Sequence, residues 1–278
     1  MMYVAAQPLC PLKAGPGRGE ERVDEILMGW PVSKPLEETE GWWKIRTHYG
    51  YTGWVQPEQL ALDRGWTAAP KLVVTALFAD VLSGPEVEFP VLTTLPRGAL
   101  VTPGEGACPE GWRRITLPDG KNGYTKCSFL EEYCDSALDL PEETLRARVV
   151  ERAKSYLGVQ YRWGGKSPMG IDCSGLTFMS WFFSGVLLYR DAKLVSGYPA
   201  RAIPLEQCRP ADLLYFPGHI ALYLGEGRYI HSTARAGSDG VVINSLDPDQ
   251  PDYRADLPGK LLTAGTVFPL GSEKMTTL

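Results

Sequence analysis

The chain repeats itself at an offset of 70 residues, and that repeat limits what its first half can be. GWWKIRTHYGYTGWV (Gly41 to Val55) lies over GWRRITLPDGKNGYTK (Gly111 to Lys126) without a gap. Gly41/Gly111, Trp42/Trp112, Ile45/Ile115, Gly50/Gly120 and Gly53/Gly123 are identical, while Lys44/Arg114 and Trp54/Tyr124 keep their character. Each copy alternates, turns at glycine and resumes with an aromatic, which is the pattern of a β-hairpin. Helical periodicity is weak around both copies. The expectation is two small all-β barrels, at 1–63 and 70–133.

The pattern changes after Asp139. LPEETLRARVVERAKSYLG (Leu140 to Gly158) opens with proline and two glutamates and sets Leu145, Val149, Ala153 and Tyr156 at helical spacing. Acid at the start, lysine late and glycine past the end describe a capped helix. A second helix is expected from about Cys173. ADLLYF, HIALYLG, GRYIHST and DGVVINSL then read as strands. Helices leading an antiparallel sheet predict an α+β domain over 140–270.

Composition excludes some partners. A net charge of −5 and a pI near 5.4 argue against a nucleic-acid partner, which needs a basic face. The most apolar stretch, Leu176 to Tyr189, is too short to span a bilayer. The N-terminus lacks a basic start followed by an apolar core, so no signal peptide is expected. Six cysteines (Cys10, Cys108, Cys127, Cys134, Cys173, Cys208) form no C-x-x-C pair. They read as free thiols in a reducing compartment, and the expected location is cytoplasmic.

One stretch asks for chemistry. In GKSPMGIDCSGLTFMSWFF (Gly165 to Phe183) an acid, a thiol and a hydroxyl stand together at a loop-to-helix boundary. Cys173 in the first helical turn sits at the positive end of the helix dipole, which stabilises a thiolate. The amides there can also hold an oxyanion. Of the chain's three histidines, His219 and His231 lie on strands flanking Gly225-Glu226-Gly227. A hairpin centred on Gly225 pairs residue 219 with residue 231 and puts both imidazoles on one face, with Cβ atoms about 4.5–5.5 Å apart. One ring can take the thiol proton while the other orients it. A zinc site built from the same three residues is the competing reading. His48 has no such partner and reads as a surface strand residue.

The combined pattern resembles a known family. YLGVQYRWGGKSPMGIDCSGL, then ADLLYF, GHIALYLG and YIHS, is similar to the NlpC-type peptidases of bacterial cell-wall turnover, over about 145–268. These are papain-like cysteine peptidases with a permuted, reduced core. The resemblance makes Cys173 the nucleophile, His219 the general base and His231 the third polar residue. The G-W-x-x-I/V and G-x-x-G-aromatic repeats resemble bacterial SH3-like domains. Together they point to the γ-D-glutamyl-L-diamino acid endopeptidases that process murein peptides.

That group implies more about the site. Asp172 and a tyrosine of the first SH3-like domain would hold the substrate's free N-terminal amine. Tyr51 matches the second role, with Tyr49 competing for it. Ser174, Tyr161, Trp163 and the Arg190-Asp191 element are also assigned to substrate. Two departures stand out: Ala192 replaces an expected small hydroxyl residue, and Ala211 replaces the glycine often found before the aspartate of the DL strand. A buried Asp172 carboxylate needs a cation, and the substrate ammonium is the candidate; simple capping of the helix is the alternative. No metal or organic cofactor is implied, and the expected partners are murein-derived peptides. The rival activities are a related amidase or acyltransferase, or a wall-binding protein with an inactive peptidase domain.

Overall fold

The structure, a computed structural model, describes residues 2–269 and divides into two compact units, Met1–Tyr133 and Cys134–Leu278. The expected domain limits at residues 1 and 270 lie outside the described residues.

The repeat folds as two hairpins with one register. Strand Trp42–Arg46 pairs antiparallel with Thr52–Val55, Ile45 opposite Gly53. Strand Trp112–Thr116 pairs with Asn122–Lys126, Ile115 opposite Gly123. Alternation puts Ile45 and Val55 in one core and Ile115 in the other, all fully buried. The first hairpin lies in a five-stranded sheet, with a separate three-stranded sheet formed from Tyr3–Ala5, Pro31–Val32 and Leu60–Leu62; the second hairpin lies in a seven-stranded sheet. Segment 64–69 does not behave as a free linker. Its Trp66 is buried and donates Nε1–H to the Gly29 carbonyl at 2.9 Å, while Trp30 donates to the Gly98 carbonyl at 2.8 Å. Both barrels therefore fold into a single unit.

His48 is not a strand residue. It occupies the turn between the two strands of the first hairpin, with its ring edge-on to Trp30 at 5.1 Å and to Tyr49 at 5.0 Å. Two large aromatics explain why this polar residue is half-buried.

The second unit is built on a six-stranded antiparallel sheet. Its order is Arg201–Ile203, Thr263–Thr266, Leu213–Phe216, His219–Gly225, Arg228–Thr233, Gly240–Ser245. Helix α1 (Glu142–Lys154) buries Leu145, Val149 and Ala153, with Tyr156 buried just beyond its end. Helix α2 (Cys173–Phe182) is buried along its whole length and packs on α1 and on the strand His219–Gly225. Its Thr177 and Ser180 hydroxyls donate back to the Ser174 and Leu176 carbonyls, which satisfies polar atoms that have no water.

The DL strand is tied to α1 by charge. Asp212, 1% exposed, accepts from Arg146 Nη1 at 3.0 Å and from the Arg209 amide at 2.8 Å. Arg146 also donates to Glu142 and to the Pro210 carbonyl. Ala211, just before it, has φ of 76°, a left-handed conformation that a Cβ disfavours. The backbone demand at this position is the one glycine meets without strain.

Candidate active site

Asp172 is the N-cap of α2, and its Oδ1 accepts from the Gly175 amide at 2.6 Å. Cys173 follows as the first helical residue. The turn can form because Gly175 and Gly165 leave room for one another: a Cβ on Gly175 would meet the Gly165 carbonyl oxygen at 2.2 Å. A Cβ on Gly165 would likewise lie 2.3 Å from the Gly170 carbonyl. Glycines in this loop thus bring backbone against the helix start and hold the thiol in place.

The thiol lies against the strand that carries the first histidine, in hydrogen-bond contact with the main chain at Ile220. On that strand His219 Nε2 is 2.7 Å from His231 Nδ1. The far nitrogen of His231, Nε2, is 2.9 Å from Asn244 Oδ1. Asn244 in turn donates Nδ2–H to the Asp252 carbonyl at 2.7 Å. With Nε2 of His219 engaged, Nδ1 is the nitrogen left to accept a thiol proton.

The histidines meet by a different register from the one expected. Leu222 pairs with Ile230, Tyr223 with Tyr229 and Gly225 with Arg228, with a bulge between Tyr223 and Gly225. The two-residue turn is Glu226-Gly227, whose φ values of 52° and 72° are those of a tight hairpin turn. The ladder is shifted by two residues, so 219 and 231 are diagonal neighbours. Diagonal pairs remain on one face and within reach of long side chains. The face was correct and the pairing was not.

Burial sets the resting protonation. It pushes the Cys173 thiol up to about 12, and the neighbouring Asp172 charge adds to this. It also pulls His219 down to about 3, with His231 contributing, and His231 down to about 4. The helix start favours a thiolate, and burial of the sulfur opposes it. The neutral thiol and neutral imidazole are favoured, an arrangement suited to general-base proton removal during attack.

The cation facing Asp172 belongs to the protein. Arg190, 2% exposed, donates Nη1–H to Asp172 Oδ1 at 3.0 Å and Nη2–H to Oδ2 at 2.8 Å. It donates as well to Ser174 Oγ at 2.8 Å and to the Gly165 carbonyl at 3.3 Å. Ser174 donates its hydroxyl to Asp172 Oδ1 at 3.2 Å. Charge alone therefore does not require a substrate ammonium at Asp172, and the capping role is present. Arg190 and Ser174 are both buried and both bonded to Asp172, the residue before the thiol.

The other expected residues divide by location. Tyr161 stands near the thiol: burial, then Cys173 and Asp172, raise its hydroxyl pKa. Trp163 is 60% exposed at the loop surface. Asp191 is half-buried and hydrogen-bonds Tyr189. Tyr49 is 5% exposed and donates its hydroxyl to Asp24. Tyr51 lies in the first unit just before the strand Thr52–Val55, its carbonyl accepting from the Thr47 amide and its amide donating to Thr47 Oγ1. Among the described residues no group of three histidine, cysteine, aspartate or glutamate side chains is arranged to hold a metal ion. Nor is any helix long and apolar enough to cross a membrane.

A thiol at a helix start, set against a sheet carrying two hydrogen-bonded imidazoles, defines a papain-like cysteine hydrolase. The chain belongs to the NlpC/P60 family, whose sequence profile matches residues 158–255, and it is a peptidase. The bacterial SH3 domain profile matches residues 11–60. Dipeptidyl-peptidase 6 of Lysinibacillus sphaericus is 37% identical over 92% of this chain and 96% of its own. The γ-D-glutamyl-L-lysine dipeptidyl-peptidase of Bacillus cereus is 28% identical over 75% of this chain and 66% of its own length. A crystal structure of an NlpC/P60 family protein from Bacillus cereus has the same fold, with a TM-score of 0.81 at 20% identity over 97% of this chain and all of that one.

Proposed function

We propose that the protein is a cysteine endopeptidase that hydrolyses the γ-D-glutamyl-L-diamino acid bond of murein peptides bearing a free N-terminal L-alanine. In this reading Cys173 Sγ attacks the γ-carbonyl and His219 Nδ1 takes the thiol proton. His231 orients His219. The amides at the start of α2 receive the oxyanion, and the proton passes to the departing amine. Water then opens the thioester. The observation that carries this reading is the 2.7 Å contact of His219 with His231 on the strand that meets the Cys173 thiol.

The substrate half of the proposal draws on two relatives named γ-D-glutamyl-L-lysine dipeptidyl-peptidases and one named dipeptidyl-peptidase 6. A dipeptidyl-peptidase measures from a free amino terminus. Asp172 is the carboxylate assigned to that amine, as an acid already held by Arg190. Trp163 is assigned to the same substrate. The proposed place of action is the cytoplasm, on imported wall fragments.

Digestion of L-Ala-γ-D-Glu-L-Lys, its diaminopimelate counterpart and their N-acetylated twins, with products weighed, tests this. Release of L-Ala-D-Glu from a free peptide, slowed at least tenfold by acetylation, is expected. Equal rates on free and acetylated peptides would remove the amine requirement. Products formed only by transfer to an added amine would favour the acyltransferase reading.

A further inference from the structure

The two histidines leave one matter open to the geometry: which nitrogen of each carries the proton. Asn244 answers it through a chain of fixed donors and acceptors. The Asp252 carbonyl can only accept, so the group facing it at 2.7 Å is the amide nitrogen of Asn244. That anchoring turns Oδ1 of Asn244 toward His231 at 2.9 Å, and an amide oxygen can only accept. Nε2 of His231 is then the donor. A neutral imidazole has one N–H, so Nδ1 of His231 accepts, and Nε2 of His219 must donate across the 2.7 Å contact.

We infer that Asn244 is a positioning residue that fixes the ring tautomers of His231 and, through it, of His219, keeping Nδ1 of His219 free to accept the thiol proton. Three hydrogen bonds in series carry the instruction from the Asp252 carbonyl to His219. Inverting any link would put a proton on the nitrogen that has to act as base. His231 is fully buried, so no water is at hand to supply the missing acceptor. The Tyr229 ring, 5.1 Å from His231, packs beside the relay without entering it. The consequence for rate rests on Cys173 and His219 acting as proposed; the tautomers themselves do not depend on it.

Nitrogen-15 NMR of the full chain at neutral pH reads the tautomers directly. The wild type should show both His219 and His231 neutral and protonated on Nε2. Asn244→Leu should lose the fixed His231 signal and lower kcat at least about tenfold with little change in KM. In a His231→Ala background the same substitution should change kcat less than twofold, because the path through His231 is already cut. Asn244→Asp separates the two ends of the side chain. It keeps an acceptor for His231 and loses the donor to Asp252, so it should retain more activity than Asn244→Leu. A wild-type His231 protonated on Nδ1 would overturn the inference, and that result needs no variant to fold. So would an Asn244→Leu effect that persists undiminished in the His231→Ala background. Activity in Cys173→Ala would instead sink the peptidase mechanism and leave the tautomer result standing.

Discussion

Arg190 grips Asp172 with both arms of its guanidinium, at 3.0 and 2.8 Å, one residue from the proposed nucleophile. Both side chains are buried, so each charge depends on the other. The pair also fixes the start of α2, since the same Oδ1 caps the helix. An ion pair here orients the peptide that carries the thiol.

Breaking that pair from one side should therefore be costly. Arg190→Ala leaves a buried carboxylate without its cation and should lose about 3–5 kcal/mol of stability in urea unfolding. A loss below about 1 kcal/mol would mean that the pair is not the support proposed.

Asp212 makes the same argument away from the site. Asp212→Ala takes one of two carboxylates from buried Arg146, which keeps Glu142 and the Pro210 carbonyl, and should cost about 1–3 kcal/mol. Because Asp212 ties α1 to the sheet and does not meet the thiol, kcat at a temperature where the variant is folded should fall less than fivefold. A larger fall in kcat without loss of stability would place Asp212 in the catalytic machinery.

Stability should decline as pH falls below 6.5. An unfolded histidine takes up a proton near 6.5, whereas the folded chain holds His219 near 3 and His231 near 4. Below 6.5 the unfolded state thus binds protons the folded state refuses, and the free energy of folding weakens by up to about 1.4 kcal/mol per pH unit per histidine. The loss levels off once pH passes the folded values. Urea midpoints from pH 7 to 4.5 should fall, and the slope should shrink in His231→Asn. A flat wild-type profile over that range contradicts buried neutral histidines.

The thiol should behave as a thiol. With Cys173 held up to about 12 and His219 neutral, its alkylation by iodoacetamide, followed by peptide mapping, should accelerate with pH throughout the alkaline range. A plateau of high reactivity from pH 5 to 8 would show a resting thiolate-imidazolium pair instead.

Much of this was readable in the chain, for reasons that differ by residue. The two barrels were legible because glycine, tryptophan and isoleucine recur at one offset and dictate one hairpin register. The helix start at Cys173 was legible because an aspartate that can cap a helix stands just before it. The histidine pair lies on the expected face because side chains alternate with period two; its register differs because the turn falls at Glu226-Gly227 and, with the bulge beside Gly225, shifts the ladder by two residues, an even number that keeps the face. The pairing of Arg190 with Asp172 was not legible, because the sequence does not reveal that the guanidinium is buried. Asn244 left no signal, since an asparagine in a strand acquires its meaning only when the opposite residue is known.

Turnover by Cys173→Ala tests the central claim most directly. Purified wild type and variant are given L-Ala-γ-D-Glu-L-Lys, with the fold of each checked by thermal unfolding. The account predicts a variant that melts within a few degrees of wild type and has lost at least about a thousandfold in kcat/KM. A folded variant that still cleaves within tenfold of the wild-type rate would contradict it.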